Sequence, residues 1–201
     1  MRYLITLKFT TDILGTVPMN KEIYVDYIAS KDGAPSMAVE EADTIALEEK
    51  GKTGFHRGSD GTPFLYDYVI KGFLKDACGM LWRVEDSLSK KVKAYKRIVD
   101  GLIFVTERQI PFKMVGEVGE LQRPLRAQTA QGERVALAFS ETIPAGSSIS
   151  FGLDVLDDKS VPEELMREWF DYGRYRGLGQ WRNASYGRFT YELVPYRTGA
   201  K

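Results

Sequence analysis

A chain of 201 residues with 43% hydrophobic and 28% charged side chains can bury one proper core, is cramped for two, and lacks the composition of a disordered protein. Its 28 basic and 28 acidic residues cancel, which argues against a protein that grips nucleic acid by bulk charge alone. No apolar run reaches the roughly 20 residues of a membrane span, and a single cysteine and a single histidine provide neither an internal disulfide nor a zinc cluster, so a cytoplasmic protein without metal or cofactor is expected.

The chain opens on "RYLITLKF", where Tyr3, Ile5, Leu7 and Phe9 alternate with polar neighbours at the period of a half-buried strand. "DILGTVPMN" breaks that pattern with Gly15 and Pro18. Residues 16–52 then read as an acidic, mainly helical insertion, in which Ser36 can cap a helix carrying Val39, Ile45 and Leu47 that stops at Gly51. In "TGFHRGSDGTPFLYDY" a Ser-Asp-Gly turn joins two short extended pieces. The period changes in "YVIKGFLKDACGML": Ile70, Phe73, Leu74, Ala77, Cys78 and Leu81 recur at three and four, which predicts the first core helix. Gly72 within it costs about 1 kcal/mol against alanine, a loss tolerated where packing or a ligand comes close.

After a basic stretch, "GLIFVTERQIPF" reads as one strand, and strands over 134–140 and 148–156 read as a hairpin turned at Pro144, Ala145 and Gly146. Ser160 and Glu163 have the spacing of a capping box, with Pro162 in the first turn of a second core helix that buries Leu165, Met166, Trp169 and Phe170. "RFTYELV" closes the chain as a strand. The order strand, helix, strand, strand, helix, strand predicts an α+β, ferredoxin-like (RRM-like) βαββαβ core, one domain over 1–201.

Charge is unevenly distributed along this frame. Residues 21–50 hold eight acids against three bases, whereas residues 172–201 hold six bases against Glu192 alone. "SKKVKAYKR", residues 89–97, holds five bases and no acid. An acidic face and a basic face follow, the second able to meet phosphate.

Three segments carry a family resemblance. "YDYVIKGFLKDA" resembles the run into the first helix of the RAMP superfamily, the CRISPR-associated RNA-binding proteins of antiviral defence. "ETIPAGSSISFGLDVLD" resembles the strand pair before their second helix, and "GLGQWRNASYGRF" their glycine-rich loop before the last strand. The resemblance is nearest to the backbone subunits of effector complexes, and it implies a single-stranded or guide RNA as partner and a homo-oligomer along that RNA. "LGTVP", "RPLRAQT" and "DYG" with "GLGQ" resemble solitary phage-borne chains, which implies a virus-borne relative. The Pro-Gly-Ser-Ser turn usual before Lys71 is replaced here by "YVI", and neither Asp43 nor Asp60 matches the family's cleaving aspartate.

The candidate RNA-binding residues are Lys71 and Lys75 on the first helix, Lys90, Lys91, Lys93, Lys96 and Arg97 in the basic stretch, and Arg174, Arg176, Arg182 and Arg188 near the end. With them go Asn183 and the glycine-rich loop, where Gly177, Gly179 and Gly187 can free backbone N–H groups for an anion and Trp181 offers a stacking surface. The loop lacks the Gly-Lys-Ser/Thr of a P-loop. His56, flanked by polar turn residues and therefore expected at the surface, is the candidate general base. Three readings follow: an RNA-binding protein without catalysis, a phage-borne inhibitor engaging a protein partner through residues 21–50, or a metal-independent ribonuclease using His56.

Overall fold

The computed structural model describes residues 1–19, 52–129, 132–157 and 159–196. The expected acidic helical insertion therefore lies, apart from its two ends, outside the described residues. Those ends meet: β3 (Val17–Pro18) pairs antiparallel with β4 (Lys52–Gly54), and the Met19 amide donates to the Lys52 carbonyl at 2.9 Å.

Alternation makes the central strand. In β1 (Arg2–Phe9) the side chains of Tyr3, Ile5, Leu7 and Phe9 are buried, while Arg2, Leu4, Thr6 and Lys8 take the other face. The strand lies between β11 (Ser148–Val155) and β12 (Phe189–Tyr196), antiparallel to both. The sheet runs β12, β1, β11, β8, β6, β5, with β7 also on β11; here β5 is His56–Arg57, β6 Pro63–Tyr66, β7 Ile103–Val105 and β8 Gln109–Lys113. Counting β7 and β8 as one interrupted strand, the core order is fourth, first, third, second, the ferredoxin-like arrangement. β12 forms one margin of this sheet, with Pro195 opposite Tyr3.

Two helices cover one sheet face. α1 (Asp67–Leu81) buries Ile70, Phe73, Leu74, Ala77 and Cys78, the stripe its period predicts. A tight helical turn at Leu88–Lys91 leads to α2 (Tyr95–Leu102). α3 (Glu163–Asp171) buries Leu165, Met166, Trp169 and Phe170, and a short α4 (Gly173–Arg176) follows. Phe73 joins the layers, its ring 6.2 Å from Phe170 and 5.2 Å from Phe189 on β12. Cys78 is buried, and that desolvation pushes its thiol up from the usual range. Among the described residues no helix is long and apolar enough to cross a membrane.

Three expectations are corrected. "GLIFVTERQIPF" is not one strand: Gly101 and Leu102 finish α2, and the ladder breaks between β7 and β8 because the Glu107 carboxylate, at 2.7 Å, takes the Gly152 amide. The hairpin of 134–140 with 148–156 does not form either. β10 (Gly132–Ile143) pairs along its length with β9 (Gly119–Thr129) in a second sheet that also holds β4, β3 and β2 (Ile13–Leu14), while β11 belongs to the first. Pro144, which has no N–H to continue a ladder, stands where the chain changes sheets. The capping box is also absent. Ser160 donates its hydroxyl to Asp157 at 2.6 Å and Glu163 pairs with Arg167 at 2.6 Å, each in a charge-assisted bond, so neither reaches back to cap α3.

Candidate nucleic-acid interface

The basic stretch is held by its few apolar and hydroxyl side chains, and its cations are left outside. Ser89 is fully buried: its hydroxyl donates to Glu168 at 2.6 Å and accepts from the Trp169 indole at 2.9 Å. The same carboxylate accepts the amides of Leu88 and Ser89 at 2.7 and 3.0 Å. Val92 and Val99 are buried beyond it. Lys90, Lys91, Lys93, Lys96 and Arg97 are exposed, and none pairs with a carboxylate among the described residues.

Where this stretch passes the end of α1, a groove of about 710 Å³ opens, lined by Gly79, Trp82, Arg83, Tyr95, Lys96 and Arg97, with Val92, Lys93 and Ala94 behind. Trp82 is 51% exposed. A Cβ on Gly79 would lie 2.7 Å from the Tyr95 hydroxyl, so the glycine seats that ring. An apolar floor with a cationic rim is suited to a chain that has both stacking faces and phosphates.

The other expected cations sit on two flanks of α1. Lys71 and Lys75, one turn apart, reach Asp100 of α2: Lys71 donates to its carbonyl at 3.2 Å and Lys75 to its carboxylate at 2.9 Å. The Lys71 ammonium also stands 4.6 Å from the centre of the Phe104 ring. Asp76, about 100° further round the helix, accepts from Arg176 and Arg182, each at 2.9 Å, and Arg176 also donates to Asn183 at 2.7 Å. The Asp76 carboxylate thus serves two cations, and Asp100 holds Lys75 by its carboxylate and Lys71 only by its main-chain carbonyl, so among the described residues each flank carries one more cation than carboxylate. Arg174 pairs with Asp171 at 3.0 Å. Trp181 is half-buried with its ring 6.3 Å from Tyr186, over which Arg123 of β9 lies at 5.6 Å.

The glycine-rich loop closes mainly on itself. Gly177, Gly179 and Gly187 all have positive φ. A Cβ on Gly187 would lie 1.8 Å from the Leu178 carbonyl oxygen, and one on Gly179 2.5 Å from that of Leu14. Two of the three glycine amides expected to face an anion have internal acceptors, Gly177 donating to Gly173 and Gly187 to Asp12, and beside them Leu178 donates to Gly187 and Gln180 to Leu14. The Arg188 amide donates to the Thr11 hydroxyl. These bonds fasten the loop between α4 and β12 onto β2.

His56 is not the surface ring its polar neighbours suggest. It is half-buried, stacked on Phe64 at 5.5 Å and edge-on to Tyr66 at 4.7 Å. Burial holds its pKa below the ordinary value of 6.5, so the folded ring is neutral at pH 7. The unfolded chain therefore binds more protons between the two values, and the stability His56 contributes is complete above 6.5 and lost as pH falls through the lower, folded value. His56→Phe is expected to flatten the decline of Tm between about pH 7.5 and about pH 5; parallel declines in both proteins would refute this.

The sequence reading missed Trp82, Arg83 and Tyr95, although carrying the helical period one step past Leu81 points to the first two. It also missed Tyr66, Tyr68 and Arg108. Among the described residues no three His, Cys, Asp or Glu side chains converge as metal ligands would.

The fold and site define an α+β chain of ferredoxin-like architecture with a cation-rimmed groove on its helical side. No protein-family model and no curated protein matches the sequence. Among solved structures the chain is similar to one in the cryo-EM structure of the Type III-B Cmr-beta bound to cognate target RNA, with a TM-score of 0.55 at 10% identity over 96% of this chain. It spans 60% of that chain's length. A chain of a Type IV-B CRISPR complex aligns with a TM-score of 0.46 at 13% identity, over 100% of this chain and 92% of that one. At such identities the first likeness shows a shared fold.

Proposed function

We propose that this chain is an RNA-binding protein of RAMP-like fold that holds single-stranded RNA on its helical side without catalysis. The observation that carries the reading is the groove between the end of α1 and residues 92–97, where Arg83, Lys93, Lys96 and Arg97 rim Trp82 and Tyr95 and have no carboxylate partner among the described residues. Free cations release condensed counterions from phosphate, whereas cations already paired release fewer. The resemblance of the helix entry and of the final loop to RAMP proteins supports the reading, as does the fold shared with a chain from a complex solved with target RNA. Lys71, Lys75 and the Arg176–Arg182 pair extend the positive surface along α1.

The test is fluorescence anisotropy with mixed-sequence single-stranded RNA over a salt series. The wild type is expected to lose affinity steeply with salt. The triple variant Lys93→Ala, Lys96→Ala, Arg97→Ala should lower the slope of log K against log salt by about 2, at about 0.7 per phosphate released from a single strand. Absence of binding at low salt, or an unchanged slope in the variant, refutes the proposal.

A further inference from the structure

We propose that the seven-stranded sheet carries, at its β5–β6 margin on the face turned away from the helices, a base-stacking platform for single-stranded RNA. It is formed by Tyr68 and Arg108 and backed by Tyr66, His56 and Phe64. The proposal rests on the RNA-binding reading and adds to it the place where bases are held.

The face follows from register. Phe112 of β8 and Ile149 of β11 are paired and buried toward the helices, so Gln109, Pro111 and Lys113 point the other way. Phe64 is opposite Pro111 and Tyr66 opposite Gln109, and His56 is opposite Phe64, which puts all three rings on the face turned away from the helices. They pack as a continuous row. Phe64 and Tyr66 meet edge to face at 5.0 Å, and Tyr66 and Tyr68 stack at 5.4 Å with 22° between planes. The Arg108 guanidinium caps the outer end, 5.0 Å from the Tyr66 centroid and 5.9 Å from that of Tyr68.

Exposure grows along the row. Phe64 is 5% exposed and Tyr68 40%, and the Arg108 side chain is 68% exposed. The outer end is fixed in place, since Asp67 takes Arg108 at 2.5 Å and its amide donates to the Arg108 carbonyl at 3.2 Å. A partly exposed tyrosine ring and a guanidinium plane, held by a buried aromatic base, are surfaces on which any nucleobase can stack.

The platform joins the groove. Tyr68, Lys71, Lys75 and Gly79 follow one another at three, four and four residues along one face of α1, and that face ends at Trp82, about 21 Å from Tyr68 at 1.5 Å per residue. Gly72 lies beside this line, exposed, with nothing within 4 Å of where a Cβ would be. Among the described residues no packing requires that glycine, and the backbone it bares adjoins the path between stacking platform and cationic groove.

The test uses the full chain and a single-stranded RNA substituted with 2-aminopurine, whose fluorescence falls when the base stacks. Wild type is expected to quench it. Tyr68→Ala and Arg108→Gln should weaken affinity about tenfold to hundredfold and abolish the quench, with the salt slope of the Tyr68 variant unchanged because no phosphate contact is lost. Tyr68→Phe should keep both affinity and quench, which separates a stacking role from a structural one. Wild-type affinity and quench in Tyr68→Ala overturn the platform and leave RNA binding through the groove standing. Failure of the wild type to bind RNA overturns both.

Discussion

Gly187→Ala is expected to destabilise the protein by about 3 kcal/mol or more, the largest effect of any single methyl group added to the glycine-rich loop. Two costs combine. The residue sits at φ +70°, where an L side chain is strained, and its Cβ would fall 1.8 Å from the Leu178 carbonyl oxygen, a backbone atom that cannot rotate away. Making room separates Leu178 from Gly187, whose mutual 2.9 Å hydrogen bond ties the start of the loop to its end, and strains the 2.8 Å bond from Gly187 to Asp12. Phe189, fully buried two residues on, shifts with it. Urea denaturation followed by tryptophan fluorescence measures the change; a midpoint equal to wild type would mean that the two segments do not approach each other in this way.

Glu168→Ala is expected to cost about 2 to 3 kcal/mol, because it leaves the amides of Leu88 and Ser89 and the buried Ser89 hydroxyl without their acceptor at a part-buried site. The consequence reaches the proposed interface. Ser89 is the peg that holds the basic stretch against α3, and once it loosens, Lys90 to Arg97 lose their fixed spacing around the groove. Amide hydrogen exchange should show protection lost at Leu88 and Ser89, and RNA affinity should fall although no cation has been removed. Retained protection at both amides would show that Glu168 does not anchor the segment.

Much of the frame was legible because it rests on local period. The alternation of Tyr3, Ile5, Leu7 and Phe9 and the three-four spacing of Ile70 to Cys78 follow from which side chains face the core. β9 was not legible: Pro124 and the charges of "GELQRPLRAQT" mask a strand that, among the described residues, is defined by its pairing with β10. The change of sheet at Pro144 was hidden for a related reason, since two strands close in sequence give no sign of having different partners.

The site divides in the same manner. Lys90 to Arg97 stood out as a charge run, and their exposure follows from Ser89, Val92 and Val99 turning inward. Asp100 and Asp76, which take up Lys71, Lys75, Arg176 and Arg182, could not be paired with them from spacing alone. The glycines of the final loop signalled positive φ correctly, but not what lay beside them, which is backbone of the same chain. The aromatic row escaped notice because Arg108 is some forty residues from Tyr68 and becomes its neighbour only when β6 pairs with β8.

The margin of the main sheet at β12 has a bearing on how copies of the molecule tolerate one another at high concentration. A terminal strand offers its outward main-chain groups to any extended segment that drifts alongside, and unbroken edges of this kind seed aggregates. Here Pro195 interrupts the row of donors and Glu192 sets a carboxylate in the approach. An incoming strand could add only a short stretch beside Phe189 to Tyr191 before meeting both obstacles, so the fold carries its own safeguard against uncontrolled sheet extension.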